Sequence, residues 1–217
     1  MGGKARRRRL LTSPSRRRGW QRLARGMNDV VTRAPWSWPL LRAPMRLFFE
    51  RAAATWDQRF ASDPARMVPL AAAFDLLPTA PARVLDVGTG TGAGAILAAE
   101  RWPGAEVLGI DVSPRMIDAA ASKDVPPGVR FAVADVARLD PGEGWDLVVM
   151  LNMPPFFAPV AAMVRGGGHV AHIASRGPVT PFYTSAEKLG QGYGRRGLET
   201  VAAGTAGPGT YYLARRP

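Results

Sequence analysis

The sequence predicts an α/β fold: a parallel sheet with helices on both faces, a C-terminal antiparallel hairpin, and a basic N-terminal extension. Three observations carry this. Short apolar strands alternate with helical stretches from residue 83 onward, the first strand runs into a glycine-rich turn, and the last two strands are joined by a turn too short for a crossover. With 217 residues, 47% hydrophobic and 21% charged, the chain holds one domain plus an appendage, and a disordered or fibrous chain is excluded. There is no cysteine, so disulfides and thiolate metal sites are excluded and an intracellular protein is expected.

The N-terminal region is set apart by charge. Residues 1–51 carry 14 Lys or Arg against Asp29 and Glu50, so the whole formal charge of +12 sits there and the remainder is neutral. Residues 1–44 are therefore read as a basic, proline-containing extension, largely disordered, and 45–217 as the folded domain. The start lacks the apolar stretch of a secretory signal and no run approaches the ~20 apolar residues of a membrane span, so a soluble, cytoplasmic protein without a transmembrane segment is expected. Three readings of the tail compete: a solvated extension or over-extended start, an anion-binding arm, and a transit peptide. Pro35, Pro39 and Pro44 flank Trp36 and Trp38, and proline this dense predicts turns or extended chain lying on the body between Asn28 and Pro44.

Helical spacing begins near Met45, where Leu47, Phe48, Ala52, Trp56 and Phe60 share a face. A second helix is predicted over 64–77, with Asp63 as N-cap and Pro64 in its first turn. Strands follow at 83–87, 105–110, 129–134, 146–151 and 169–174, separated by helices near 92–101, 114–122 and 157–165, a rhythm that implies right-handed crossovers. A helix over 184–195 precedes strands at 198–203 and 210–214, the closing hairpin.

The chemistry concentrates at the strand ends. In RVLDVGTGTGAGA (83–95), Gly88, Gly90 and Gly92 lack a Cβ, which permits positive φ and close approach of a ligand to the backbone. The same glycines satisfy a dinucleotide fingerprint, so alone they do not separate nucleotide classes. Asp111, 23 residues after Gly88, ends the second strand where a carboxylate can accept from a ribose hydroxyl pair, unless it serves as a helix N-cap, a task for which Ser113 competes. Asp135 follows the third strand in the same relation and could accept from an exocyclic amine of adenine.

These residues resemble the class I S-adenosylmethionine-dependent methyltransferases over about residues 45–217. VLDVGTGTGAG is similar to the family's first motif, with Asp86 as its acid; GIDVSPRMIDAA to the second, ADVARLD to the third, and WDLVVMLNMPPFF to the fourth. The nearest likeness is to small-molecule enzymes of the ubiquinone and menaquinone C-methyltransferase group. The resemblance implies a Rossmann-like sheet and S-adenosyl-L-methionine as cofactor. It implies that Gly88, Gly90 and Gly92 line the methionine part, Asp111 holds the ribose, Asp135 with the Val136 amide reads the adenine, and Asp86 orients the glycine loop and the amino group. TWDQRF resembles the aromatic-acid pair ahead of the first motif, which makes Trp56, Asp57 and Arg59 candidates to close the pocket; for Trp56, packing is an equal alternative.

A substrate is expected at the ends of the fourth and fifth strands. LNMPPFF puts Asn152, Met153, Phe156 and Phe157 there, as an apolar wall, and SRGPVTPFY adds Arg176 and Tyr183. LNMPPFF is also similar to the Asn-Pro-Pro-aromatic motif of nitrogen methyltransferases, but Met153 interrupts it. After Asp146 the only acids are Glu187 and Glu199, so no metal site and no carboxylate base is expected at those strand ends. His172 and Tyr183 are poor candidates for proton removal, His172 reading as a core residue. The sequence thus predicts an enzyme that works mainly by proximity, methylating a small, partly apolar molecule. The alternatives are an RNA or ribosomal-protein methyltransferase, with nucleic acid reached only through the basic tail, and a non-catalytic nucleotide-binding module.

Overall fold

The structure is a computed structural model that describes residues 14–61 and 63–217, with side chains from 22 on except 48, 51, 52, 54, 55 and 58–61. The positions expected for Phe48, Ala52, Arg59 and Phe60 therefore lie outside the described residues. Seven strands form one sheet, β1 (Arg83–Val87), β2 (Glu106–Asp111), β3 (Val129–Val133), β4 (Trp145–Leu151), β5 (Val164–Ala174), β6 (Glu199–Ala206) and β7 (Gly209–Arg215), in the order β3-β2-β1-β4-β5-β7-β6. The first five are parallel; β7 runs antiparallel to β5 and to β6. Strand order reverses between β1 and β4, and in such sheets the crevice at that switch point, beyond the carboxyl ends of the strands, is where ligands sit.

Alternation along the strands builds two cores. Leu147 and Val149 of β4 face one side with Leu70, Phe74, Ala95 and Ala98; Val148 and Met150 face the other with Val160, Leu189 and Tyr193. The first side is covered by helices α3 (Val68–Asp75) and α4 (Ala93–Arg101), and the second by α6 (Phe157–Met163) and α7 (Ala186–Gly194). α5 (Pro114–Ala121) crosses between β2 and β3, and Ser113 caps it by accepting from the Met116 amide at 3.3 Å. Two elements differ clearly from the sequence reading: the helix expected over 64–77 is a 3-10 turn (Pro64–Met67) followed by α3, with no side-chain cap from Asp63, and β5 begins at Val164, Gly166, Gly167 and Gly168 continuing the strand where a helix end and a loop are predicted. No helix among the described residues is long and apolar enough to cross a membrane.

The N-terminal region corrects the sequence reading more substantially. Instead of proline-broken chain, it forms α1 (Pro14–Arg33), a 3-10 turn (Pro35–Ser37) and α2 (Trp38–Ala61). Pro35 and Pro39 are tolerated because first-turn N–H groups have no intrahelical acceptor anyway. Pro44 is interior and removes one backbone bond, a cost carried by packing. The boundary at 44/45 thus falls inside α2. Ala24, Asn28 and Val31 form one buried stripe, and Trp38, Leu41, Met45, Phe49 and Ala53 another, at helical spacing.

Trp38 docks this region onto the sheet. Its indole N–H is shared between both Asp135 oxygens at 3.0 Å, Arg42 Nη1 reaches one of them at 3.3 Å, and the Ala137 amide donates to the other at 3.0 Å. The Asp135 side chain is 9% exposed, and its ring partner packs edge-on against Phe156 with centroids 4.8 Å apart. Trp38→Phe, which keeps the ring and removes the donor, is expected to lower unfolding stability by about 1.5–3 kcal/mol in urea titration; an unchanged midpoint would show that the contact does not hold the region down.

Candidate active site

The site is built around the turn after β1. Gly88, Gly90 and Gly92 have φ of 68°, 56° and 87°, the left-handed region that side chains avoid, and α4 starts directly after them. The Thr89 amide donates to the Ile110 carbonyl at 2.9 Å, tying the turn to β2. The three glycines face different neighbours. A side chain on Gly88 would collide with Met153, one on Gly90 would meet the Trp56 indole nitrogen at 3.4 Å, and one on Gly92 would strike the Phe131 ring. Gly92 thus serves helix–sheet packing, while Gly88 is covered by the Met153 side chain and Gly90 by the Trp56 indole. The Met153 thioether rests on Gly88, and it is the end of an unbranched side chain that can swing away.

Asp86, the second-to-last residue of β1, lies beneath this turn and is 1% exposed. Thr89 Oγ1 donates to its Oδ2 at 2.7 Å, whereas Oδ1 has no partner among the described residues. Burial raises its pKa from 3.8 to about 6, against the opposing hydrogen bonds from Thr89 and the Ala95 backbone. At the tip of β2, Asp111 accepts from the Gly90 amide at 3.1 Å and the Ser113 amide at 2.8 Å, and burial raises its pKa also. Since Ser113 caps α5, Asp111 is spared that duty, and each of its oxygens retains a second lone pair. Its bond to Gly90 makes the carboxylate and the glycine turn one unit.

Asp135 lies at the same end of the sheet, two residues past β3, but Trp38, Arg42 and the Ala137 amide already occupy the roughly four acceptor positions of its carboxylate. The Val136 side chain is buried in the core. From the other side, α2 contributes Trp56, whose indole lies over Gly90 with Phe49 against its edge at 5.6 Å. Asp57 accepts from Thr91 Oγ1 and from Lys123 Nζ, and Lys123 also donates to the Thr91 carbonyl at 2.6 Å, which fastens α2 to the turn and to the end of α5.

The expected substrate residues divide. Asn152 has φ 58° and its Oδ1 accepts from the Ser175 amide at 2.8 Å, so it joins the ends of β4 and β5. Phe156, with φ 35°, is buried against Trp38. Phe157 is turned away: its ring occupies the space above Gly192, stacks edge-on with Tyr193 at 5.0 Å and lies under Arg196, so it supports α7 instead of a substrate wall. The Arg176 side chain is exposed. Tyr183 lines a cleft with His172, whereas His169, in the middle of β5, does not line it. The sequence reading missed Trp38, Arg42 and Lys123; the helical stripe through Trp38, Leu41 and Met45 was the available signal, hidden by the prolines.

Comparison with known proteins agrees with this geometry. Residues 84–168 match the methyltransferase domain family. The chain is 41% identical over 87 residues to malonyl-[acyl-carrier protein] O-methyltransferase of Laribacter hongkongensis, covering 40% of this chain and 29% of that protein. It is 32% identical over 151 residues to demethylmenaquinone methyltransferase of Deinococcus radiodurans, covering 65% and 63%. The chain therefore spans less than two thirds of the length of these curated relatives. A TehB-like S-adenosylmethionine-dependent methyltransferase from Corynebacterium glutamicum shares the fold, with TM-score 0.59, 21% identity, and 76% and 98% of the two chains covered. Over residues 84–168 the chain is thus similar to the S-adenosylmethionine-dependent methyltransferases. S-adenosyl-L-methionine is the cofactor of that family, and a buried carboxylate oxygen without a donor among the described residues, beneath the glycine turn, fits a ligand bearing an ammonium group.

The raised pKa of Asp86 has a measurable sign. Below pH ~4 both folded and unfolded chains hold its proton; between pH ~4 and ~6 the unfolded chain releases it and the folded chain keeps it, so stability falls as pH rises through that window. The loss amounts to about 3 kcal/mol above pH ~6. Buried His172, its pKa lowered to about 4, acts in the opposite sense over the same window, so the test is the difference between two curves: in urea unfolding from pH 4 to 7 wild type should lose stability relative to Asp86→Asn, and parallel curves would show that burial does not raise this group.

Proposed function

We propose that this protein is an S-adenosylmethionine-dependent methyltransferase that alkylates a small, partly apolar molecule. The observation that carries the reading is the position of Asp86, Asp111 and Asp135 at the carboxyl ends of three adjacent strands, around a turn of positive-φ glycines covered at Gly88 only by the flexible Met153 side chain. In this reading Asp111 accepts from the ribose hydroxyls while holding the Gly90 amide, and Asp86 Oδ1 takes the amino group of the methionine part. Trp56 covers the turn from above. Adenine recognition falls to the Val136 backbone, since the Asp135 carboxylate is engaged by Trp38 and Arg42.

The cofactor supplies an electrophilic methyl group on a sulfonium, which an in-line nucleophile attacks as the carbon–sulfur bond breaks. What the chain contributes is placement and exclusion of water. Met153 lies on Gly88 and must rotate to admit a ligand, while Phe156, packed on Trp38, closes the side toward the N-terminal helices. No Asp or Glu faces the ends of β4 and β5 as a base, which favours an acceptor that needs little help in losing a proton. The relatives' named substrates, malonyl-[acyl-carrier protein] and demethylmenaquinone, differ too much in shape to be transferred to this chain. A nucleic-acid arm has little support in the described region, where Arg25 bonds to the Pro178 carbonyl and Arg42 to Asp135.

Calorimetric titration with S-adenosylmethionine should give saturable binding that Asp111→Ala weakens at least tenfold. Absence of heat with the wild-type protein would overturn the proposal.

A further inference from the structure

At the far end of β5 a cleft of about 240 Å³ opens between α7, the segment before it, and the ends of β6 and β7. None of its twelve lining residues carries a charge at neutral pH, and they include Tyr183, Thr205, Thr210 and Tyr211. His172 stands at its base. The residue is 3% exposed, and neither ring nitrogen has a hydrogen-bond partner. An unsatisfied buried imidazole is a cost that a plain core position would not carry, because an apolar residue would fill the same space without it.

The cleft adjoins the glycine turn through one residue. Met153 lays its thioether on Gly88, and its backbone carbonyl is the group that favours a proton on the His172 ring, although placed too loosely to count as a bond partner. A proton directed toward that carbonyl leaves the other nitrogen as a free acceptor. Burial holds the ring neutral, with its pKa lowered to about 4, so it offers a lone pair and no positive charge. The roof is held by α1: Asn28 Nδ2 donates to the Tyr183 carbonyl at 3.3 Å and to Thr184 Oγ1 at 3.4 Å.

We infer that this cleft is the acceptor site, and that it takes an uncharged, hydroxyl-bearing apolar molecule whose hydroxyl donates to the His172 imidazole. At the packing density of protein interiors the volume suits roughly a dozen non-hydrogen atoms, the size of a substituted phenol. A carboxylate substrate is disfavoured, since nothing lining the cleft would pair with it and the imidazole lone pair would repel it. This rests on the methyltransferase reading only in calling the bound molecule the acceptor; the binding itself stands apart from it. His172 acts here as an anchor that orients the molecule, because a ring so hard to protonate is a weak base.

The chain has two histidines, His169 and His172, so histidine-selective isotope labelling gives two imidazole signals, with His169, on the other face of β5 and outside the cleft lining, as an internal control. On addition of 4-methylphenol the His172 signals should shift and those of His169 should not, while 4-methylbenzoate should move neither. His172→Phe should weaken 4-methylphenol at least tenfold and leave 1,4-dimethylbenzene within twofold; if that variant does not fold, the wild-type titration decides. An unmoved His172 at millimolar 4-methylphenol, or equal binding of 4-methylbenzoate, overturns the inference. S-adenosylmethionine titrated into the same sample separates the two ideas. Cofactor heat without a His172 shift removes the cleft and spares the methyltransferase reading, whereas a His172 shift without cofactor heat does the reverse.

Discussion

The constraint on which the site depends is the burial of Asp86 beneath the turn after β1. A carboxylate sealed from water is costly, and here Thr89 satisfies one of its oxygens while the other is left without a donor. The fold nevertheless organises itself around this group. Gly94 must be a glycine, because a side chain would come within 2.9 Å of Asp86 Oδ2; Thr89 is held by its own amide on β2; and Gly90 is held by Asp111. A buried carboxylate with one oxygen lacking a donor, directly beneath a turn of positive-φ glycines, is the feature on which the proposed cofactor site rests.

Much of the sheet was legible in the sequence because each strand is short, apolar and bounded by turn residues. The three strand-end acids and the glycine turn were legible because their spacing reflects strand and crossover lengths. The N-terminal region was not. Proline density in residues 35–44 is a sound signal against helix when each proline is interior, but Pro35 and Pro39 fall in first turns, where they cost nothing. A charge block also masked the stripe of Ala24, Asn28 and Val31, since arginines occupy the remaining faces of that helix. Phe157 failed for another reason: Phe156 sits with left-handed backbone just before α6, and its ring packs on Trp38 while that of Phe157, the first helical residue, packs on Tyr193.

Trp38 changes how the third acid is understood. Sequence position alone makes Asp135 a candidate for adenine, yet its carboxylate already anchors the N-terminal helices, so one residue couples the roof of the site to its floor. That contact ties the described part of the region before residue 45 to the strand-end acids. The fold does not by itself dictate a reaction; what narrows it is the particular set of glycine turn, unsatisfied carboxylate oxygen and uncharged cleft at one end of the sheet.

The central claim is that the free oxygen of Asp86 meets the ammonium group of the cofactor's methionine part. It is tested most directly by carboxyl-carbon NMR titration of Asp86 with and without saturating S-adenosylhomocysteine. The account predicts a pKa near 6 in the free protein that falls by at least one unit in the complex, because a nearby cation favours the ionised form. A carboxyl that titrates at the same pH in both would contradict it.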